Sequence, residues 1–132
     1  MKLVPGSEWA SSVKRLSTMH GYNYRDYEVA LAWMDSKKKL LAYTLVRIDK
    51  FVATIDWIWS RPGKGTPFLQ EVEKRLFLQC NTIKLLVSID KRERKPTILR
   101  RMNFYIKNEY RVADVRYDPT GVMLTMTKSS PD

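Results

Sequence analysis

The stretch between residues 53 and 78 constrains the fold of this chain more than any other. Its first third reads Ala-Thr-Ile-Asp-Trp-Ile-Trp and alternates β-branched and aromatic residues, which predicts a strand. After Gly65 the period becomes helical: Thr66 and Pro67 suit the N-cap and first position of a helix, and apolar residues recur at helical spacing at Phe68, Leu69, Val72, Leu76 and Phe77. A strand, a Gly-x-Gly turn and a helix therefore follow one another without a spacer.

The Gly-x-Gly turn has two interpretations. Glycines let a phosphate approach the backbone N–H groups of a helix N-terminus, where about half a positive charge of the helix dipole is available. A connection from a strand to a helix also uses glycine simply because it tolerates positive φ. Arg61 and Lys64 flank Gly63 and Gly65, and these two cations favour anion binding.

The remaining segments predict the element order α, β, β, β, α, β, α, β, β. An amphipathic helix is expected over residues 7–20, and Pro96 and Thr97 open another. The other strands are expected at residues 29–34, 40–48, 51–59, 83–89, 110–117 and 122–127. The strand-helix-strand crossover in the middle requires a mixed sheet, with antiparallel hairpins on either side of one parallel pair.

The length and composition restrict the class of protein. We expect the 132 residues to form a single domain with a hydrophobic core. Cys80 is the only cysteine and His20 the only histidine, so we expect no internal disulfide and no metal site, and Cys80 is interpreted as a core residue. No apolar run is long enough to cross a membrane and the N-terminus lacks a signal-peptide pattern, which predicts a cytoplasmic protein.

The charge predicts a partner that carries negative charge. The 24 Lys and Arg against 14 Asp and Glu give a net charge of +10, and a positive field attracts phosphates, nucleic acid or acidic proteins. One basic cluster has three interpretations: a solvated loop, a contact to a phosphate group, or a docking site for an acidic protein or nucleic acid. Its members are Lys91, Arg92, Arg94 and Lys95.

Two stretches resemble one enzyme family. Residues 60–66 read Ser-Arg-Pro-Gly-Lys-Gly-Thr and are similar to the Gln/Arg-x-x-Gly-x-Gly/Ala pyrophosphate loop of the GCN5-related N-acetyltransferases, at the same place between a strand and a helix. Residues 104–110 read Phe-Tyr-Ile-Lys-Asn-Glu-Tyr and resemble the Tyr-x-Lys-x-Gly-Phe ending of the last helix in that family. The chain departs from the family pattern at Ser60, Ile98, Glu109 and Tyr110, as a minimal and divergent member would.

The resemblance implies a fold, an activity and a cofactor. The fold is a mixed, mostly antiparallel twisted sheet of the α/β (α+β) class, with a central β-α-β crossover and helices on both faces. The activity is direct transfer of an acetyl group from acetyl-coenzyme A to a primary amine of a small molecule or protein. The residues implied to contact the coenzyme are Trp57, Ile58, Trp59, Ser60, Arg61, Pro62, Gly63, Lys64, Gly65 and Thr66.

The resemblance also implies two catalytic residues. Tyr105 matches the family tyrosine and is the candidate general acid, because a phenol with a pKa of about 10 is protonated at neutral pH; it also fits the apolar stripe of its helix. Asp56 is the candidate base, although strand alternation would equally place it in solvent, and Glu28 is a second carboxylate. The alternative function is a non-catalytic module of the same fold that holds nucleic acid or an acidic protein through its basic surface.

Overall fold

The computed structural model describes residues 3–5, 14–15, 18–21 and 29–131. In this part of the chain seven strands form one sheet in the order β1-β2-β3-β4-β5-β7-β6. Only β4 and β5 pair in parallel, which confirms the predicted mixed sheet. The strands are β1 (Leu3–Pro5), β2 (Val29–Met34), β3 (Leu40–Asp49), β4 (Val52–Ser60), β5 (Thr82–Asp90), β6 (Arg111–Asp118) and β7 (Gly121–Ser129), and the helices are α1 (Gly65–Leu76) and α2 (Lys95–Lys107).

Most predicted elements are confirmed to within a few residues, and the differences are local. The strand β1 was not predicted, because three residues are too few to show a period. The turn after β3 is formed by Lys50 and Phe51, one residue later than predicted. Of the helix predicted over residues 7–20, only Lys14, Arg15, Thr18 and Met19 are described as helical, and His20 is a turn residue. The other residues of that prediction lie outside the described residues, as do Tyr22, Tyr24, Tyr27 and Glu28.

The larger core cluster lies between the helices and the sheet. The apolar face of α1 is fully buried there through Phe68, Leu69, Val72 and Leu76, as its helical spacing predicts. Cys80 is 5% exposed and belongs to the same cluster, which confirms its interpretation as a core residue. Side chains of α2 pack against the cluster as well, so the two helices between residues 65 and 107 share one hydrophobic core.

A β-bulge lies in the middle of β4. Leu45 of β3 pairs with Trp57, and its neighbour Val46 pairs with Ile55. Asp56 is therefore an extra residue that has no partner of its own in β3. The bulge lies where β4 begins to separate from β5.

The bulge reverses the alternation of side chains along β4. Ahead of it, Ala53 and Ile55 belong to the larger core cluster. Beyond it, Ile58 packs against that cluster, whereas Trp57 and Trp59 pack against a second cluster. One extra residue thus places both tryptophans on the face of the sheet opposite Ala53 and Ile55.

Candidate active site

The parallel strands β4 and β5 separate and leave a cleft. They pair only from Val52 to Ile55 and from Thr82 to Leu85, although both strands continue for five more residues. A cavity of about 360 Å³ lies where the ladder ends. Its walls are residues 55–58 of β4 and 85–88 of β5, and Arg101 and Tyr105 of α2 and Met123 of β7 complete it.

A second cavity lies over the glycine loop. It has a volume of about 540 Å³ and is lined by loop residues 60–63, 65 and 66 on one side. The other side is formed by α2 through Thr97, Arg100, Arg101 and Phe104. Because Arg101 lines both cavities, the loop cavity and the cleft adjoin at this side chain.

The start of α1 leaves backbone donors without helical acceptors. The helix begins at Gly65, two residues earlier than expected, and Lys64 is its N-cap without a side-chain cap. The amide of Phe68 donates to the Lys64 carbonyl, and Pro67 has no N–H. The amides of Gly65 and Thr66 therefore lack an acceptor within the helix, and no acidic residue stands in the first turn. This end of α1 suits an anion.

The local geometry of the loop explains why residues 63 and 65 are both glycine. Gly63 has φ of +78°, a conformation that strains any residue with a Cβ atom. At Gly65 an added Cβ would lie 3.1 Å from the ring of Phe104 and 3.3 Å from Ser60 Oγ. Since Phe104 and Ser60 also line the loop cavity, a side chain at position 65 would narrow that cavity and displace Phe104.

The cations that flank the glycines are directed at the sheet. Arg61 donates from Nε to the Leu40 carbonyl over 2.9 Å, and its guanidinium lies 5.9 Å from the centre of the Trp59 ring. Lys64 Nζ lies 5.5 Å from the Trp33 ring. Both side chains hold the loop against the sheet. Arg61 also lines the loop cavity, together with Arg100 and Arg101 of α2, whereas Lys64 does not.

Tyr105 packs against the core and also faces a cavity. Its ring stacks edge-on against Phe104 and Tyr110, with ring centres 5.3 and 6.4 Å apart, and it packs against the larger core cluster. It also lines the cleft. Burial raises the pKa of the Tyr105 phenol, and the charge of Arg101 opposes that rise. The hydroxyl therefore stays protonated at neutral pH.

Asp56 lies in the cleft and is shielded from solvent. Its side chain is 14% exposed and its Oδ1 accepts a hydrogen bond from Arg47 Nη2 over 2.8 Å. The bulge at Asp56 places this carboxylate in the same cavity wall as Trp57 and opposite Tyr105 of α2. The alternative of a solvent-facing Asp56 does not describe this environment.

Arg101 lines both cavities but was not among the predicted site residues. Its Nη2 donates to the Ser88 carbonyl and to Glu93 Oε2, both over 2.9 Å, and its buried Nε has no partner among the described residues. Arg101 precedes Tyr105 by four residues, so the two side chains share one helix face. This four-residue spacing was the only sign in the sequence that Arg101 lies beside Tyr105.

The basic cluster lies outside both cavities. Its loop joins β5 to α2 and is attached to the β6–β7 hairpin by the Lys91 amide, which donates to the Thr120 carbonyl. Arg92 forms a two-pronged ion pair with Asp90, and its side-chain hydrogen bond lowers the Asp90 pKa to about 2. Arg94 and Lys95 begin α2 and are exposed.

The chain was compared with known proteins. No family model matches it, and no curated protein matches it in sequence. Its structure is similar to an aminoglycoside 6'-N-acetyltransferase complexed with coenzyme A, with a TM-score of 0.69 at 15% identity over 100% of both chains. It is also similar to a spermidine N-acetyltransferase SpeG chimera from Vibrio cholerae and hSSAT, with a TM-score of 0.66 at 13% identity over 90% of this chain and 77% of that one. A third similar structure is an acetyltransferase from Bacillus cereus ATCC 14579, with a TM-score of 0.61 at 20% identity over 94% of this chain and 91% of that one.

This chain has the fold of the GCN5-related N-acetyltransferases. Within this fold, the glycine loop before α1 is the feature that the sequence resemblance predicted, whereas the cleft between β4 and β5 was not predicted. None of the helices among the described residues is long and apolar enough to cross a membrane. In the same part of the chain, no group of three or more His, Cys, Asp or Glu side chains is placed to hold a metal ion.

Proposed function

We propose that this protein transfers an acetyl group from acetyl-coenzyme A to a primary amine. One observation carries the proposal: a cavity over an uncapped helix N-terminus adjoins a cleft that contains a carboxylate and a partly buried phenol. A thioester cofactor with a pyrophosphate needs both parts, an anion site and a partly dry place for acyl transfer. The coenzyme A complex among the similar structures supports the same cofactor.

The residues of the loop cavity fit a pyrophosphate. The amides of Gly65 and Thr66 would donate to phosphate oxygens at the positive end of α1. Arg100 and Arg101 would add charge from α2. When bound, acetyl-coenzyme A supplies the acetyl group already activated as a thioester, so the protein has to position the amine and move two protons.

Tyr105 and Asp56 are proposed for the two proton transfers. The Tyr105 phenol would donate its proton to the leaving sulfur, because its raised pKa keeps it protonated in the working range. The Asp56 carboxylate, held by Arg47, would accept a proton from the amine directly or through a water molecule. The acceptor would enter the cleft beside Trp57 and Ile58.

Amine-dependent release of the coenzyme A thiol tests this function. The protein would be incubated with acetyl-coenzyme A and a panel of primary amines that includes polyamines, aminoglycosides and a peptide with a free N-terminus. We expect a thiol signal above the hydrolysis background for at least one amine, and an acetylated product by mass spectrometry. Hydrolysis alone, with no acetylated amine from any class, would contradict the proposal.

The pH dependence of turnover reports on Tyr105. Because burial raises its pKa above the ordinary value of 10.0, the phenol is protonated below that pH and loses its proton only above it. We therefore expect kcat to stay level through neutral pH, once the amine is saturating, and to fall only above pH 10. A fall of kcat with a midpoint near about pH 8 in stable protein would exclude Tyr105 as the proton donor.

The basic cluster supports polyanion binding as a second candidate function. Lys91, Arg94 and Lys95 are exposed, and none of them forms an ion pair with another described residue. Replacing all three by alanine should flatten the dependence of log K on log salt for duplex DNA by about two to three units, since each neutralised phosphate contributes about one.

The matched control for this prediction replaces Lys37, Lys38 and Lys39, three exposed lysines after β2, by alanine. It removes the same charge at another place, and its salt slope should change less than that of the cluster variant. Equal slopes for the two triple variants would mean that the net charge, and not the cluster, determines DNA binding.

A further inference from the structure

The strand β6 lies at the open edge of the sheet. It pairs only with β7, and all eight of its residues are exposed. Such an edge presents N–H and C=O groups on its free side, ready to pair with another strand. Apolar and charged residues alternate along β6, which is typical of a strand with one covered face. No described residue covers the apolar face of β6.

One face of β6 is apolar. Val112, Val115 and Tyr117 are 48%, 41% and 82% exposed. Val115 pairs with Leu124 of β7, and Leu124 packs against the larger core cluster. Because directly opposed residues share a face of the sheet, the apolar residues of β6 extend the core side of the sheet beyond the part that the helices cover.

The opposite face of β6 is charged. Asp114 and Arg116 pair with Thr125 and Met123 of β7, and Arg116 Nε lies 3.1 Å from Asp114 Oδ2. Both side chains are half-exposed or more. Arg111 and Asp118 stand at the two ends of the strand. Near its middle, Asp114 and Arg116 place a negative and a positive charge two residues apart, with Val115 between them.

We propose that β6 pairs in antiparallel fashion with β6 of a second copy of this chain, with Val115 at the two-fold axis. Directly opposed residues of an antiparallel pair point to the same face of the sheet. The two-fold axis therefore passes between one residue and the same residue of the second chain. With the axis at Val115, Asp114 of each chain faces Arg116 of the other. An axis at Asp114 or Arg116 would oppose two like charges, which is unfavourable.

The same register places apolar side chains together. Val115 meets its own copy on the apolar face, and Tyr117 lies opposite Ala113, where the register of β6 against β7 shifts. The two seven-stranded sheets would join into one continuous sheet. The free backbone N–H and C=O groups of the two β6 strands would then form hydrogen bonds with each other. The order of Asp114 and Arg116 along β6 is complementary to itself in an antiparallel pair. A second copy of the chain therefore fits this edge better than an unrelated strand does.

Sedimentation equilibrium over a concentration series tests the dimer. We expect the wild-type chain to double in mass with a dissociation constant on the order of micromolar, as a small interface allows. Asp114→Arg should abolish the dimer because two arginines would then face each other across the axis, and Arg116→Asp should abolish it by opposing two aspartates. Lys37→Glu, on an exposed turn far from β6 in the sheet, is the control and should leave the dissociation constant unchanged.

Mixing the two charge variants gives the decisive result. When an Asp114→Arg chain lies opposite an Arg116→Asp chain, each charge at positions 114 and 116 faces an opposite charge, so the mixture should form a heterodimer although neither variant dimerises alone. Changes within one chain cannot produce this rescue. A wild-type chain that remains monomeric up to about 100 μM, or two variants that dimerise like the wild type, would overturn the proposal.

Discussion

Replacing Tyr105 by phenylalanine should lower kcat for acetyl transfer by roughly a hundredfold or more, because the proton for the leaving sulfur would then have to come from water. The phenyl ring keeps the contacts with Phe104 and Tyr110, so coenzyme A affinity and the melting temperature should change little. The measurement is steady-state kinetics at saturating amine, with calorimetry for coenzyme binding.

A control separates loss of the hydroxyl from loss of packing. Tyr117→Phe removes a hydroxyl from a side chain that is 82% exposed on β6, and kcat should be unchanged. If Tyr105→Phe also has wild-type kcat, Tyr105 is a packing residue and the proton comes from another group.

Replacing Glu73 by alanine should lower the free energy of unfolding by about 3 kcal/mol, because breaking a buried ion pair is strongly destabilising. Of its ion pairs with described residues, Lys128 would keep only the 3.9 Å contact with the exposed carboxylate of Glu109. Glu73 is 6% exposed, and it accepts hydrogen bonds from Tyr110 Oη over 2.7 Å and Lys128 Nζ over 2.9 Å. Burial and the Glu73 charge raise the pKa of Tyr110, which therefore remains a donor. For a chain of this size the melting temperature should fall by about 10 °C.

The matched control lies on the same helix. Glu71 pairs with Lys74 over 3.2 Å at the surface, and Glu71→Ala should cost less than about 1 kcal/mol, since exposed ion pairs contribute little. Denaturant unfolding of both variants makes the comparison. Equal losses in the free energy of unfolding for the two variants would contradict this prediction. They would show that the contacts of Glu73 with Tyr110 and Lys128 do not stabilise the packing of α1 on this part of the sheet.

The sequence predicted the fold well where local patterns determine it. The strand-loop-helix stretch around Gly63 and Gly65 and the order of strands were predicted because alternation, helical spacing and turn residues are local signals. The burial of Cys80 followed from residue type alone. The candidate anion site at the start of α1 was a local prediction as well. Its cavity is lined by Arg61 of the loop and by Arg100 and Arg101 of α2, whereas Lys64 does not line it.

Features that depend on distant pairings were not predictable. The bulge at Asp56 is set by the register of β3 on β4, and it turns an apparently solvent-facing carboxylate into a cleft residue. The position of Arg101 depends on Ser88 and Glu93, which meet it only after α2 folds back over β5. The exposure of β6 follows from which part of the sheet the helices cover, and alternation along a single strand does not contain that information.

Calorimetric titration with coenzyme A, at low and then at moderate salt, tests the central claim most directly. We predict binding of one coenzyme per chain that persists at moderate salt, and a loss of roughly a hundredfold in affinity in Gly65→Val, because its side chain would occupy the space between Phe104 and Ser60 where the pyrophosphate should lie. The melting temperature of the variant, measured alongside, verifies that it is folded. Absence of binding to the wild type, or the same affinity in a folded Gly65→Val, would contradict the account.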